Sequence, residues 1–212
     1  MMTSYLNKCV LYFLLLTSCT VGTTSNSKNI ENKEVFHKYN YYNSLLGKGI
    51  MIEGYALDSC VTPLDSINII SIKRCFLDQK LFKCLGSVES IVLTSCWTNE
   101  EITIDAKEMK DFHVGLHNTN ANLFILNNVT NISISSTNIL FLDNKTIKGK
   151  PKSIHLLNVY IDAIKLSSVN TLEIYDSVVD SIKINNIDTL IMDNMYKKPI
   201  LEIPKQTVVI YK

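Results

Sequence analysis

The sequence predicts an all-β protein whose body is a parallel β-solenoid. Apolar and polar residues alternate in short runs from about Asp65 onward, and these runs recur at a fixed interval. The chain also contains neither Asn-Gly nor Asp-Gly, the dipeptides that mark tight hairpins. An antiparallel β-sandwich stays open as the alternative, because its strands also follow one another at short intervals.

Alternation with a period of two marks the strands. Successive side chains of a strand point to opposite faces, so one face of each run is buried and the other is solvated. The runs are Ile67-Asn68-Ile69, Ile102-Thr103-Ile104, Ile132-Ser133-Ile134, Ile154-His155-Leu156, Ile164-Lys165-Leu166, Leu172-Glu173-Ile174 and Ile182-Lys183-Ile184. We expect their apolar members to be buried, together with Leu190 and Met192, and Glu173 and Lys183 to be exposed.

The strands recur at equal intervals toward the C-terminus, where Leu172 follows Ile154 at the same spacing at which it precedes Leu190. A fixed period near 20 is typical of solenoids, in which each coil stacks on the next. The sequence therefore predicts a leucine-rich-repeat-like stack with coils of about 18 residues. Asn and Asp residues that suit tight corners end many of the strands. These residues are Asn127, Asn128, Asn158, Asn170, Asp176, Asn185, Asn186, Asp193 and Asn194.

Charge and composition narrow the class of function. The 212 residues are 46% hydrophobic and 19% charged, with 21 Lys and Arg against 20 Asp and Glu. This composition excludes a disordered or collagen-like chain and indicates one globular domain. The balanced charge gives no overall positive field that would attract nucleic acid, so we expect no nucleic-acid partner.

The first twenty residues form a targeting segment. Lys8 precedes an apolar run of eight residues from Cys9 to Leu16. The run is too short to span a bilayer, which needs about 20 apolar residues, and fits the core of a signal peptide. Leu16-Thr17-Ser18-Cys19 then resembles the lipobox of bacterial lipoproteins.

That resemblance implies that Cys19 is acylated, becomes the mature N-terminus and anchors an exported protein in a membrane. Thr20 in place of Asp implies the outer membrane if the source is Gram-negative. The predicted organisation is a signal peptide over residues 1–18 and a lipidated, flexible tether over residues 19–44. A single β-rich domain follows over residues 45–212, with a Cys-containing part (45–120) and a repetitive part (121–212).

Four cysteines lie in the body, at Cys60, Cys75, Cys84 and Cys96. An even number in an exported protein suggests disulfides, and we favour the nested pairs Cys75–Cys84 and Cys60–Cys96 among the three connectivities. Buried free thiols are an alternative. A zinc site is disfavoured because no Cys-x-x-Cys spacing occurs.

No catalytic, nucleotide-binding or metal-binding motif occurs, and we expect no cofactor or metal. His113 and His117 would lie about 13 Å apart on a strand, too far to share a metal, and fit surface positions. The acids Glu173, Asp176 and Asp180, and Asp188 beyond them, alternate between faces and corners rather than clustering.

The sequence thus favours a non-catalytic binding or structural body at the cell envelope. Its candidate surface is an exposed row of His155, Lys165, Glu173 and Lys183, facing a protein or glycan ligand. The alternative is a glycan-cleaving hydrolase or lyase on a β-helix scaffold.

Overall fold

The computed structural model describes residues 38–44, 47–54, 56–57, 68–82, 88–106 and 111–212, which form a β-solenoid of about seven turns. Helical structure among these residues is limited to a short helix α1 (Gln79–Phe82) and a 3₁₀ turn η1 (Ala121–Leu123). The strands are β1 (Lys38–Ser44), β2 (Gly47–Glu53), β3 (Ala56–Leu57), β4 (Ile69–Lys73), β5 (Phe76–Leu77), β6 (Ser90–Thr94), β7 (Ile102–Asp105), β8 (His113–His117), β9 (Phe124–Asn127), β10 (Asn131–Ser135), β11 (Asn138–Asp143), β12 (Ile147–Lys148), β13 (Ser153–Leu157), β14 (Tyr160–Tyr175), β15 (Val178–Asp193), β16 (Ile200–Glu202) and β17 (Val208–Tyr211).

Parallel stacking is confirmed and the antiparallel sandwich is excluded. The main sheet follows the order β1-β2-β4-β6-β8-β10-β13-β14-β15-β16, with β11 also paired to β14 and β17 to β15. Its strand pairs are parallel except β1–β2. Leu172 lies beside Leu190 on adjacent parallel strands, as the predicted coil requires. Two smaller parallel sheets, β12-β9-β7 and β3-β5, form other parts of the coils.

Coil length varies along the stack. Coil length is measured between cross-strand partners on adjacent coils. Three such steps have the predicted length: Val114–Ile132, Ile154–Leu172 and Leu172–Leu190. Hydrogen-bonded residues on these coils are likewise 18 residues apart. The steps Ile50–Ile70, Ile70–Ile91, Ile132–Ile154 and Ile91–Val114 are longer, in increasing order. Ser90 and His113, on the longest of them, are 23 residues apart. The predicted coil length therefore describes part of the stack. Extra residues fit outside the main sheet, as in α1 and the turn after β11.

The main-sheet strands from β2 to β15 each contribute at least two inward apolar side chains, which stack into continuous columns. Six of the predicted inward residues are at most 1% exposed: Leu172, Ile174, Ile182, Ile184, Leu190 and Met192. Lys183 is exposed as expected, whereas Glu173 is half-buried. The Tyr175 hydroxyl donates to Glu173 Oε2 at 3.1 Å, and His155 is its cross-strand neighbour, so adjacent side chains cover part of the carboxylate.

The strand β1 corrects the predicted end of the tether. Residues 38–44 were expected to belong to a flexible segment, yet they form a strand that pairs antiparallel with β2 over seven residue pairs. The alternation that marks the other strands is absent from KYNYYNS, so the sequence carried no period-two signal there. The folded body therefore includes residues before position 45.

A corner follows each main-sheet strand from β4 to β15, and the residue there has a positive φ. These residues are Arg74, Ser95, Asn118, Ser136, Asn158, Asp176 and Asn194, with φ between 47° and 54°. Except for Asn194, the backbone N–H of each donates to the last carbonyl of the next strand in the stack, at 2.9–3.1 Å. Asn and Asp tolerate this left-handed region better than other non-glycine residues. The expectation that Asn158, Asp176 and Asn194 mark corners is confirmed, whereas Asn170, Asn185 and Asn186, also expected at strand ends, lie within β14 and β15.

The residue after each corner is buried or half-buried and, except for Met195, is small; two of the cysteines occupy this position. Cys75 Sγ donates to the carbonyl two residues earlier at 3.1 Å. Thr119 Oγ1 and Ser177 Oγ make the same bond in their own coils, at 3.0 and 2.5 Å. Cys96 Sγ repeats it at 3.5 Å and also reaches the carbonyl of Ile72 at 3.3 Å. The two thiols therefore take the place of corner hydroxyls.

Cys75 and Cys96 are buried free thiols in the structure. Burial raises the pKa of the Cys75 thiol to about 12, and the negative charge that Cys96 would carry adds to the shift. Burial also raises the pKa of Cys96. Their proposed partners, Cys84 and Cys60, lie outside the described residues, so the pairs Cys75–Cys84 and Cys60–Cys96 stay predictions that these two free thiols do not support.

Truncating one inward side chain tests the stacked core. Ile182→Ala should lower the free energy of unfolding by about 2–5 kcal/mol, because it removes buried apolar surface and leaves a cavity. Lys183→Ala, on the adjacent residue, should change it by no more than about 0.5 kcal/mol, since its ion pair with Glu202 is exposed. Urea denaturation followed by circular dichroism measures both, and equal effects would contradict the assignment of faces.

Alkylation tests the corner thiols. In the folded protein at about pH 8, iodoacetamide should leave Cys75 and Cys96 unmodified, because both sulfurs are buried and little thiolate forms. After unfolding in guanidinium chloride without reductant, both should be alkylated, as peptide mass spectrometry would report. Modification that requires a reductant even in the unfolded chain would show instead that these cysteines are disulfide-bonded.

Candidate functional site

The lipidation residue Cys19 and the rest of the lipobox-like segment lie outside the described residues. None of the helices in the described ranges is long and apolar enough to span a bilayer. The candidate residues that the structure does describe are the histidines, the four-residue row, the scattered acids and the residues around the corners.

His113 and His117 lie on β8, facing outward on either side of Gly115. They are half-buried and hydrogen-bonded, whereas surface positions were predicted. The His113 ring lies 3.1 Å from Ser90 Oγ, and the His117 ring lies 2.7 Å from Ser135 Oγ. Burial lowers the pKa of His113 to about 4, with the charges of His117 and His155 contributing. Across the described ranges, no group of three or more His, Cys, Asp or Glu side chains is placed to hold a metal.

The structure divides the candidate binding row between two parts of the coil. His155 pairs with Glu173 on the main sheet, and its ring lies 5.1 Å from that of Tyr175. Lys165 pairs with Lys183 on the first halves of β14 and β15, beyond a corner of the coil. Only the two lysines are exposed, and Lys183 forms an ion pair with Glu202. The four side chains therefore do not form one continuous row.

Three of the four acids weighed for glycan cleavage have partners of their own, and the fourth, Asp188, is exposed on β15. Glu173 accepts a hydrogen bond from Tyr175, Asp176 accepts one from Asn194 at a corner, and Asp180 forms an ion pair with Lys197. Glycoside hydrolysis needs two carboxyl groups within about 5–10 Å that flank the scissile bond. Nothing in the described ranges favours the hydrolase or lyase alternative.

A polar groove of about 750 Å³ lies instead on the corners of three successive coils. The corner residues Asn118, Ser136 and Asn158 form its floor, one from each coil. The loop of the first coil, the strand β11 and the start of β14 form its walls. None of the lining residues is acidic or basic. Sequence reasoning selected Asn158 only as a corner residue, and did not connect it with this groove.

The groove opens where strand pairing is interrupted. β11 pairs with β14 on one side, but on its other side it faces η1 and, within the described ranges, has no strand partner. The side chain of Asn122 fills that place: its Nδ2 donates to the carbonyl of Asn138 at 3.3 Å, and its Oδ1 accepts from the N–H of Leu140 at 3.0 Å. A primary amide carries the same donor and acceptor as a peptide group, so it satisfies the strand edge in place of a strand.

The turn that presents Asn122 is fixed by its own cap. Asn120 precedes η1, and its Oδ1 accepts from both the backbone N–H and the Nδ2 of Asn122, at 3.3 and 3.0 Å. This is the usual capping geometry of an Asn at the start of a helical turn. The amide of Asn122 is thereby oriented before it reaches β11.

Two large apolar side chains, Leu140 and Tyr160, border the polar residues of the groove. Leu140 is 61% exposed and Tyr160 is 48% exposed, although each lies next to a buried isoleucine on its strand, Ile139 or Ile161. The groove therefore combines an exposed aromatic ring with amide and hydroxyl groups, and presents no charge to a ligand. Such a combination suits binding and orientation rather than acid–base or nucleophilic chemistry.

No protein-family model, no curated protein and no solved structure matches this chain. The functional inference therefore depends on the residues and geometry of the chain itself.

Replacing Asn122 tests how the interruption is held together. Asn122→Ala removes two bonds to the edge of β11 and should lower the free energy of unfolding by about 1–2 kcal/mol. Asn138→Ala is the matched control, because its side chain makes no hydrogen bond within the described part of the chain, and should change the value by less than about 0.5 kcal/mol. Chemical denaturation compares them, and indistinguishable midpoints would contradict the bridging role.

Proposed function

We propose that this protein is an exported, membrane-anchored lipoprotein whose solenoid body is a non-catalytic binding module. The observation that carries the binding role is the uncharged groove, which offers hydrogen-bonding groups and an aromatic ring but no carboxylate, histidine, lysine or cysteine. A site of this composition can hold and orient a ligand, yet it has no carboxylate, imidazole or amine that could act as a general base toward its own hydroxyls at neutral pH.

The resemblance of Leu16-Thr17-Ser18-Cys19 to a lipobox supports the anchor. A single acyl chain gives only marginal membrane binding, whereas two or more chains on one cysteine hold a protein stably. The chain between Cys19 and β1 would link the lipid to the body. The lipid anchor would then hold the binding module at the membrane surface, where its ligand would be found.

The solenoid suits this role because its coils form a regular, extended scaffold. Each coil contacts mainly its neighbours, and side chains in equivalent positions are about 4.8 Å apart along the stack. Ligand-binding side chains at three successive corners are therefore held at regular intervals by backbone hydrogen bonds, rather than by a mobile loop.

Substitution of the two signal-region cysteines tests the anchor. With Cys19→Ala, the protein should no longer incorporate a fatty-acid analogue, and should leave the membrane fraction or accumulate as uncleaved precursor. Cys9→Ala should label and fractionate like the wild type, because Cys9 lies within the apolar run. Metabolic labelling and fractionation measure both, and equal lipid incorporation by the Cys19 variant would refute the anchor.

A further inference from the structure

We propose that the polar groove binds an uncharged oligosaccharide or polysaccharide. This deepens the proposed function and rests on it, since it names the ligand of the same binding module. The features that identify the ligand are the unused amide and hydroxyl groups, the exposed ring of Tyr160, the missing charge and the blocked edge of β11.

The groove contains polar side chains that have no hydrogen-bond partner elsewhere in the described part of the chain. They are Ser136, Thr137, Asn138 and Asn158, of which all but the half-buried Thr137 are exposed. Each amide offers two donor hydrogens and an acceptor oxygen, and each hydroxyl offers one donor and two acceptor lone pairs. Adjacent hydroxyls of a sugar ring are donors and acceptors at once, so they can satisfy such a mixed set.

Tyr160 and Leu140 supply the apolar part of the site. One face of a pyranose ring carries mainly C–H groups, whose partly positive hydrogens pack favourably against the negative face of an aromatic ring. Tyr160 begins β14 beside Asn138 on β11, so the ring and an unused amide lie on neighbouring strands. A sugar could therefore pack on the ring while its edge hydroxyls reach the amide.

The absence of charge from the groove selects among polar ligands. A phosphate, sulfate or uronic acid would lose water in the groove without gaining an ion pair. No lysine or arginine among the described residues lines the groove. Two lysines that flank Asn158 and Tyr160 in the sequence contact other groups: Lys152 pairs with Asp111, and Lys165 lies 5.9 Å from the ring centroid of Phe141. An uncharged glycan meets no such penalty.

A peptide is the competing ligand, and the structure disfavours the way it would bind. An extended peptide binds a sheet by pairing with free backbone groups along an edge strand. On the open side of β11, the carbonyl of Asn138 and the N–H of Leu140 are already bonded to Asn122. A ligand at this position is therefore recognised by side chains rather than by pairing with these two backbone groups. The groove spans three coils, or about 10 Å, which favours an oligomer over a single ring.

The test uses the full-length protein, purified in lauryldimethylamine oxide because alkyl glycoside detergents could compete for the groove. It is applied to an array of uncharged gluco-, manno-, galacto- and N-acetylglucosamine oligosaccharides, with heparin, hyaluronate and uncharged extended peptides as comparators. Isothermal titration then gives the Kd of the best ligand. We expect an uncharged oligosaccharide to bind, with a Kd that changes less than about twofold between about 0.05 and 0.5 M NaCl.

Variants locate the binding. Tyr160→Ala, and separately the double variant Asn138→Ala with Asn158→Ala, should each raise the Kd at least about tenfold, whereas Tyr160→Phe should retain binding. Tyr196→Ala and Asn185→Ala are matched controls on exposed residues outside the groove, and should stay within about twofold. Unchanged circular dichroism confirms that each variant is folded, and the asparagine pair serves as the test if Tyr160→Ala is not.

Three results would overturn the proposal: no uncharged oligosaccharide binds, binding does not depend on Tyr160 and the asparagine pair, or a polyanion binds in a salt-dependent manner. A peptide that occupies the groove would also overturn it, while leaving the body a binding module. Shortening of the bound oligosaccharide over time would refute the non-catalytic function instead.

Discussion

The corner after each main-sheet strand is the constraint on which the rest of the structure depends. From β4 to β15, one residue there adopts a positive φ, and in six corners its N–H reaches the end of the strand in the next coil. This bond holds neighbouring strands parallel and in register. Register in turn decides whether the inward columns form, because a shift of one residue would turn every apolar side chain outward. Core burial, coil spacing and the position of the groove all follow from the corners.

The sequence predicted those parts of the fold that repeat with a fixed period. The alternation from Ile154 to Ile184 predicted both the strands and their buried faces, and Asn158 and Asp176 predicted corners. It could not predict the longer coils, because α1 and the turn after β11 add residues without disturbing the alternation on either side. It also gave no sign of the corners at Arg74, Ser95 and Ser136, since Arg and Ser have little preference for the left-handed region.

The candidate site was less predictable, because a surface site depends on which coils are neighbours. Alternation correctly places His155 and Lys165 facing outward, but a corner lies between them, so the two side chains end on different parts of the coil. Predicting the groove would need the length of each coil in turn, because the step from Asn118 to Ser136 is short and the step from Ser136 to Asn158 is longer. The cysteines show the same limit. Their even number suggests disulfides, whereas the strand register places Cys75 and Cys96 directly after corners, in the positions that Thr119 and Ser177 occupy in other coils.

The interruption in strand pairing produces a groove without weakening the core. The groove lies on the outer surface of the coils, whereas the core consists of the inward apolar columns. Val114, Ile132 and Ile154 stay at most 1% exposed through the three coils concerned, so the apolar columns continue beneath the break. Within the described part of these three coils, the edge of β11 lacks a strand partner, and the amide of Asn122 replaces one peptide group along it. Because one side chain satisfies the edge where a whole strand would otherwise lie, the surrounding space stays open, and Tyr160 and the unused amides border that space. The groove can therefore exist only where a corner carries a short helical turn instead of a paired strand, and Asn122 occupies such a turn.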